Sequence, residues 1–269
     1  MTSDSSIARI LLALSAAVLL HGCAGTGGSS GPEPTAEIGT ISGDSGEPRN
    51  RARANTELAA LYYEQGNLGV ALEVLRNAVS ADAGYAPAHS MFGLVYMELR
   101  ENQLAEQSFE RALRISPADA DINHNYGWFL CQTGRELQSI KYFMQAIRNP
   151  LYAQAWKSYS AAGQCSLRRG NTAEATDFLE RAIRLNTEDP NATIKLAGLR
   201  YGANNLEEAR RLVMRFNRLV QPTAESLWLA ARIERKLGDK TAENSYANQL
   251  RRRFPASPEF QQMQRGEYD

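Results

Sequence analysis

The chain has 269 residues, 43% of them hydrophobic, which is enough for one large domain or two small ones with a substantial core. Thirty Lys plus Arg balance thirty Asp plus Glu. The positive excess that drives non-specific nucleic-acid binding is missing, so nucleic acid is excluded as the expected partner.

The N-terminus passes through one cation, Arg9, into an apolar stretch from Ile10 to Leu20. That stretch is too short to cross a hydrocarbon core of about 30 Å, but it suits the apolar region of an export signal. It ends in Leu20-His21-Gly22-Cys23, which resembles a bacterial lipobox. The resemblance implies cleavage before Cys23, making residues 1–22 the signal peptide, and diacylglycerol on the Cys23 thiol. A plain secretory signal beside an incidental cysteine is the alternative. Triacylation would give the multiple chains that stable anchoring needs. With Ala at position 24, the resemblance favours the outer membrane, with the body facing the periplasm.

Residues 23–51 are rich in Gly, Ser and Pro and poor in large apolar side chains. Such a segment cannot offset its ordering entropy by burial and is expected to be a flexible tether, with a root-mean-square span of roughly 30 Å.

From residue 52 to residue 257 one skeleton recurs with a 34-residue step. It reads small-x2-aromatic, a turn residue, Ala-x3-apolar-x2-Ala, and often Pro. Its copies include Leu58-Ala59-x2-Tyr62 with Ala71, Leu75 and Ala78; Phe92-Gly93-x2-Tyr96 with Ala105, Phe109 and Ala112; and Tyr126-Gly127-x2-Leu130 with Phe143 and Ala146. Gly163 with Ala175, Leu179 and Ala182, then Leu196-Ala197 with Ala209 and Val213, and Ala230-Ala231 with Leu250 complete six registers. The pattern resembles the tetratricopeptide repeat. It implies an all-α, right-handed superhelical solenoid of six helix hairpins, followed by a C-terminal tail over 258–269. Small residues at places eight and twenty let the two helices of a hairpin approach closely, and bulky residues at places seven, eleven and twenty-four fill the surrounding space. Glycine near place fifteen supplies a left-handed turn.

Between copies three and four the register lengthens by two residues, through Asn149-Pro150-Leu151-Tyr152. This reads either as a kink in the superhelix or as a tolerated loop insertion. Cys131 and Cys165 fall in the first helices of these two copies. In an oxidising compartment they are a candidate disulfide, with two buried free thiols as the alternative. His124 lies one heptad before Cys131, but three ligand candidates are too few for a closed zinc site, so neither metal nor other cofactor is expected.

Enzyme signatures are missing from the sequence: it contains no Gly-x-Ser-x-Gly, phosphate-cradling glycine loop or His-Glu-x2-His. A binding protein, not a catalyst, is expected, acting as a monomer.

Solenoids of this kind bind extended peptides or partner helices on a concave face lined by their first helices. By the repeat resemblance, places two, five, nine, twelve and thirteen point there. On this chain the groove candidates are Tyr63, Leu94, Met97, His124, Trp128, Gln164, Arg168, Tyr201, Trp228 and Arg232. Any of them could instead simply cover a neighbouring helix. The carboxylate clamp of chaperone-tail receptors is missing: places five and nine hold Thr56 and Ala60, Ser90 and Leu94, then His124 and Trp128. The groove suits an apolar or mixed segment.

Asn125-Tyr126-Gly127-Trp128-Phe129-Leu130-Cys131, then Ala146-Ile147-x-Asn149-Pro150-Leu151-Tyr152 and Ala162-Gly163-Gln164-Cys165, resemble the type IV pilus biogenesis and stability lipoproteins of the PilF/PilW family. The resemblance covers essentially the whole chain. It implies a pilotin or pilus-stability factor, with the secretin subunit as partner and acylated Cys23 in the outer membrane as anchor. The rival reading on the same architecture is a periplasmic scaffold for peptidoglycan enzymes.

Overall fold

The computed structural model describes residues 46–268, so Cys23 and its neighbours lie outside the described residues. Among the described residues there are thirteen helices and no strand. They form six antiparallel hairpins: α1 (Gly46–Glu64) with α2 (Leu68–Ala81), α3 (Ala86–Glu98) with α4 (Asn102–Ile115), and α5 (Ala120–Gln132) with α6 (Glu136–Ile147). Then follow α7 (Ala155–Arg168) with α8 (Thr172–Leu185), α9 (Pro190–Gly202) with α10 (Leu206–Leu219), and α11 (Ala224–Leu237) with α12 (Lys240–Arg253). A short helix, α13 (Pro258–Arg265), closes the stack. First helices of successive hairpins pack side by side, as α3 does on α5 and α5 on α7, which is the arrangement of a tetratricopeptide solenoid.

Every hairpin turns in the same way. The first helix ends with a residue at positive φ: Gly66, Gly134, Gly170 and Gly238 at 74° to 82°, and Arg100 and Asn204 at 64° and 59° in the second and fifth hairpins. The next amide then reaches back across the turn, as Asn67 N–H does to Tyr62, Glu101 to Tyr96 and Arg135 to Leu130. Asn171 donates likewise to Ser166, Asn205 to Arg200 and Asp239 to Glu234. This is the six-to-one bond of a Schellman motif, which satisfies carbonyls left open at the helix end. The left-handed conformation is costly for a side chain other than glycine, so the two non-glycine turns keep it because the packed helices on either side fix the chain path.

The hairpin contact explains the small residue at place eight. A Cβ built on Gly93 would stand 2.7 Å from the Phe109 ring, on Gly127 2.9 Å from Phe143, and on Gly163 2.6 Å from Leu179. In each case the glycine faces a large, fully buried side chain sixteen residues on. Ala59 shares one core cluster with Leu75, and Ala197 another with Val213. Val213, smaller than the rings it stands in for, leaves space for the Ala197 methyl group; Leu75 is the same residue type as Leu179, and nothing in the structure explains why alanine faces it.

Rings then join hairpin to hairpin. Phe109 lies 5.8 Å from Tyr126 and 5.5 Å from Phe129, centroid to centroid. Within the third hairpin, Tyr126 also meets Tyr142 edge-on at 4.7 Å. Helix starts carry their own signals: Asp119 accepts from Ile122 N–H, Asp189 from Asn191 and Ala192, and Thr223 forms a reciprocal capping box with Ser226.

Two details differ from the sequence reading. Residues 46–51, expected to belong to the tether, are already helical in α1. The tail expected over 258–269 contains α13, started by the Ser257 side chain accepting from Phe260 N–H and by Pro258 in the first turn. The two-residue insertion, for which a kink and a loop insertion were both open, falls in the connection between α6 and α7, where Asn149 Oδ1 accepts from Leu151 N–H and Leu151 is 88% exposed.

Candidate partner-binding groove

Trp128, at place nine of the third repeat, is the centre of the concave face. It lines three adjoining cavities. One, of about 390 Å³, adds Met97, Arg100, Gln132 and Thr133. The second, of about 350 Å³, adds Gln132, Gln164, Leu167, Arg168 and Lys195. The third, of about 290 Å³, adds His124, Trp156, Lys157, Gln164 and Asn191. Leu167 and Lys195 also line a further cavity of about 410 Å³ with Ile194, Trp228 and Arg232. Shared walls make these one trough crossing the first helices of repeats two to six.

Its surface is mixed, not acidic or basic throughout. The Arg168 guanidinium donates to Gln132 Oε1 at 2.8 Å and stands 3.7 Å from Glu136. Lys195 pairs with Glu225 at 2.9 Å. These cations are partly spent within the chain, so the indole of Trp128 and the apolar faces of Met97 and Leu167 remain as the unpaired apolar lining of the trough.

His124 lies on the wall of this trough with Nδ1 2.9 Å from Ser158 Oγ and its ring 5.6 Å from that of Phe143. Burial, aided by the Lys157 ammonium, holds its pKa down to about 4, against 6.5 ordinarily. The folded protein therefore keeps the imidazole neutral at pH values where the unfolded chain binds a proton. That preference stabilises the fold above the unfolded pKa, and the stability is lost as pH falls from about 6.5 towards 4. Urea unfolding of wild type at about pH 5 is expected to show a loss of about 1–2 kcal/mol relative to pH 7 that His124→Gln lacks; identical pH profiles would contradict it.

Below the trough the structure joins Cys131 of α5 to Cys165 of α7, with their Cα atoms 5.8 Å apart. Both are fully buried and pack with Phe143, Ala161, Ala162 and Phe178. The bond ties the two first helices that carry Trp128 and Gln164. It also uses up Cys131, the thiol that lay one heptad from His124.

The sequence-derived groove candidates divide into three groups. Met97, His124, Trp128, Gln164 and Arg168 converge on the central trough. Tyr63 and Leu94 pack against the core of the first two repeats instead. Tyr201 and Trp228, expected to be offered to a partner, are only 7% and 4% exposed, because the chain's own C-terminal segment covers them; Arg232 beside them donates to that same segment. Gln132, Leu167 and Ile194 were missed although they occupy places thirteen, twelve and five, so the repeat numbering already contained the signal. Lys195 falls outside those places.

A stack of tetratricopeptide hairpins with an open trough on its inner face is a protein-binding module. Tetratricopeptide repeat family models match residues 86–119 and 166–231. The type IV pilus assembly protein PilF of Pseudomonas aeruginosa is 30% identical over 257 residues, spanning 95% of this chain and 98% of that protein. A structure from the functional characterisation of Pseudomonas aeruginosa PilF superposes with a TM-score of 0.77 at 28% identity, covering 81% of this chain and 99% of that one. The crystal structure of PilW, described as a widely conserved type IV pilus biogenesis factor, gives 0.71 at 30% identity over 79% and 97% of the two chains. The chain belongs to the PilF/PilW family of type IV pilus biogenesis proteins.

Proposed function

We propose that the protein is an outer-membrane lipoprotein of type IV pilus biogenesis, a pilotin whose trough around Trp128 binds a secretin subunit and promotes its localisation and ring assembly. The observation that carries the binding step is the convergence of three cavities on one indole flanked by Met97, Gln164 and Arg168. The pilus assignment rests on the similarity to PilF, which extends over 95% of the chain. Acylation of Cys23 supplies the membrane address, residues 24–45 the reach, and the trough the specificity. The disulfide between Cys131 and Cys165 suits an oxidising periplasm and holds the trough's two central helices in register.

The address and the groove are tested separately. Cys23→Ser is expected to leave the body folded but to move it off the outer membrane, with secretin multimers depleted there. Normal secretin rings in cells carrying only Cys23→Ser would rule out the anchoring step. For the groove, Trp128→Ala should weaken secretin binding by at least about 2 kcal/mol, roughly thirty-fold in affinity, without altering the circular dichroism spectrum. Unchanged affinity would place the binding surface elsewhere.

A further inference from the structure

The C-terminal segment does more than close the stack. Covering the exposed side of the last hairpin is the work of α13, whose Phe260 is 9% exposed and packs on Leu227, Ala231 and Leu250. Gly266, at φ 73°, then stops the helix, and the chain turns back across the concave face to reach a helix 67 residues away in sequence. There the Tyr268 carbonyl accepts from the Tyr201 hydroxyl at 3.1 Å and from Arg232 Nε at 3.0 Å. Its ring lies 4.8 Å from that of Trp228 and 3.9 Å from the Arg235 guanidinium. A carbonyl held by two side-chain donors and a ring held between an indole and a cation are the contacts by which a groove holds an extended peptide, with an aromatic anchor for affinity and main-chain bonds for register. The 410 Å³ cavity of the trough ends against this element, at Glu259 and Gln262 of α13.

We propose that the segment around Tyr268 is an internal ligand of the concave face. The pocket of Tyr201, Trp228, Arg232 and Arg235 takes in its place an extended partner segment that presents an aromatic side chain and an accepting backbone carbonyl. The inference rests on reading the concave face as a peptide groove, but not on the partner's being a secretin. Because the internal ligand competes at high effective concentration, its removal raises apparent affinity for a ligand in solution by the inverse of the open fraction.

The test uses the full-length protein in detergent and a fluorescein-labelled peptide of the chain's own residues 264–269, Gln-Arg-Gly-Glu-Tyr-Asp, read by anisotropy. Tyr268→Ala is expected to bind the probe at least about tenfold more tightly than wild type, and truncation after Arg265, which keeps α13, should do the same. Adding Arg232→Ala to either variant should abolish the gain, as should replacing the probe's tyrosine by alanine. Equal affinity for wild type and both open variants, no binding to any of them, or binding that survives Arg232→Ala would overturn the proposal. None of these results bears on secretin capture at Trp128, and loss of that capture would leave this exchange intact.

Discussion

Replacing Phe109 by alanine is expected to lower the stability of the folded body by about 3–5 kcal/mol, the usual cost of truncating a fully buried phenylalanine. The ring is wholly inaccessible, fills the contact of the second hairpin against Gly93, and touches Tyr126 and Phe129 of the third. Its removal therefore weakens both a hairpin and the interface to its neighbour, and the stability of a stacked array depends on both. Urea unfolding followed by circular dichroism measures the loss; a change below about 1 kcal/mol would contradict the packing described. A second substitution sharpens the test. Gly93→Ala alone should destabilise, because its Cβ would meet the Phe109 ring at 2.7 Å. In the Phe109→Ala background the added methyl instead partly fills the cavity, so the two changes should couple favourably.

Breaking the bond between Cys131 and Cys165, by reduction or by replacing both with serine, is expected to cost about 3–4 kcal/mol by the loop-entropy argument, since the cysteines are 34 residues apart. The effect should reach the groove, because Trp128 packs against the cluster that contains both sulfurs. Reduced protein should unfold at lower urea concentration and, below that transition, bind its partner more weakly. An unfolding midpoint indifferent to reductant would mean that the two side chains contribute as buried thiols do.

Much of this architecture was legible because each repeat states the same requirement in the same register. Four hairpin turns are marked by glycine, and place eight is glycine where the facing residue is Phe109, Phe143 or Leu179. The turns at Arg100 and Asn204 carry no such mark, since tertiary packing imposes their backbone conformation. Met97, Trp128 and Gln164 followed from repeat numbering, which fixes the direction of a side chain on a helix. That numbering could not reveal what lies over a residue. Tyr201 and Trp228 point into the concave face as their places imply, yet they are buried by a segment whose arrival depends on the Gly266 turn and on contacts 34 and 67 residues away. The start of α1 at Gly46 was hidden for a different reason. Its first residues have the Gly, Glu and Pro of a linker, and helix there continues from the packed residues that begin with Ala52.

The most direct test of secretin capture by the trough is site-specific photo-cross-linking in intact cells, with a benzophenone side chain at Gln132 in the full-length protein. Gln132 borders Trp128 in two of the cavities, and Met214, 44% exposed on α10 beyond the trough, serves as the control position. The account predicts a secretin adduct from position 132 that disappears with Trp128→Ala and is not formed from position 214. Adducts only with cell-wall enzymes, or secretin adducts of equal yield from both positions, would contradict it.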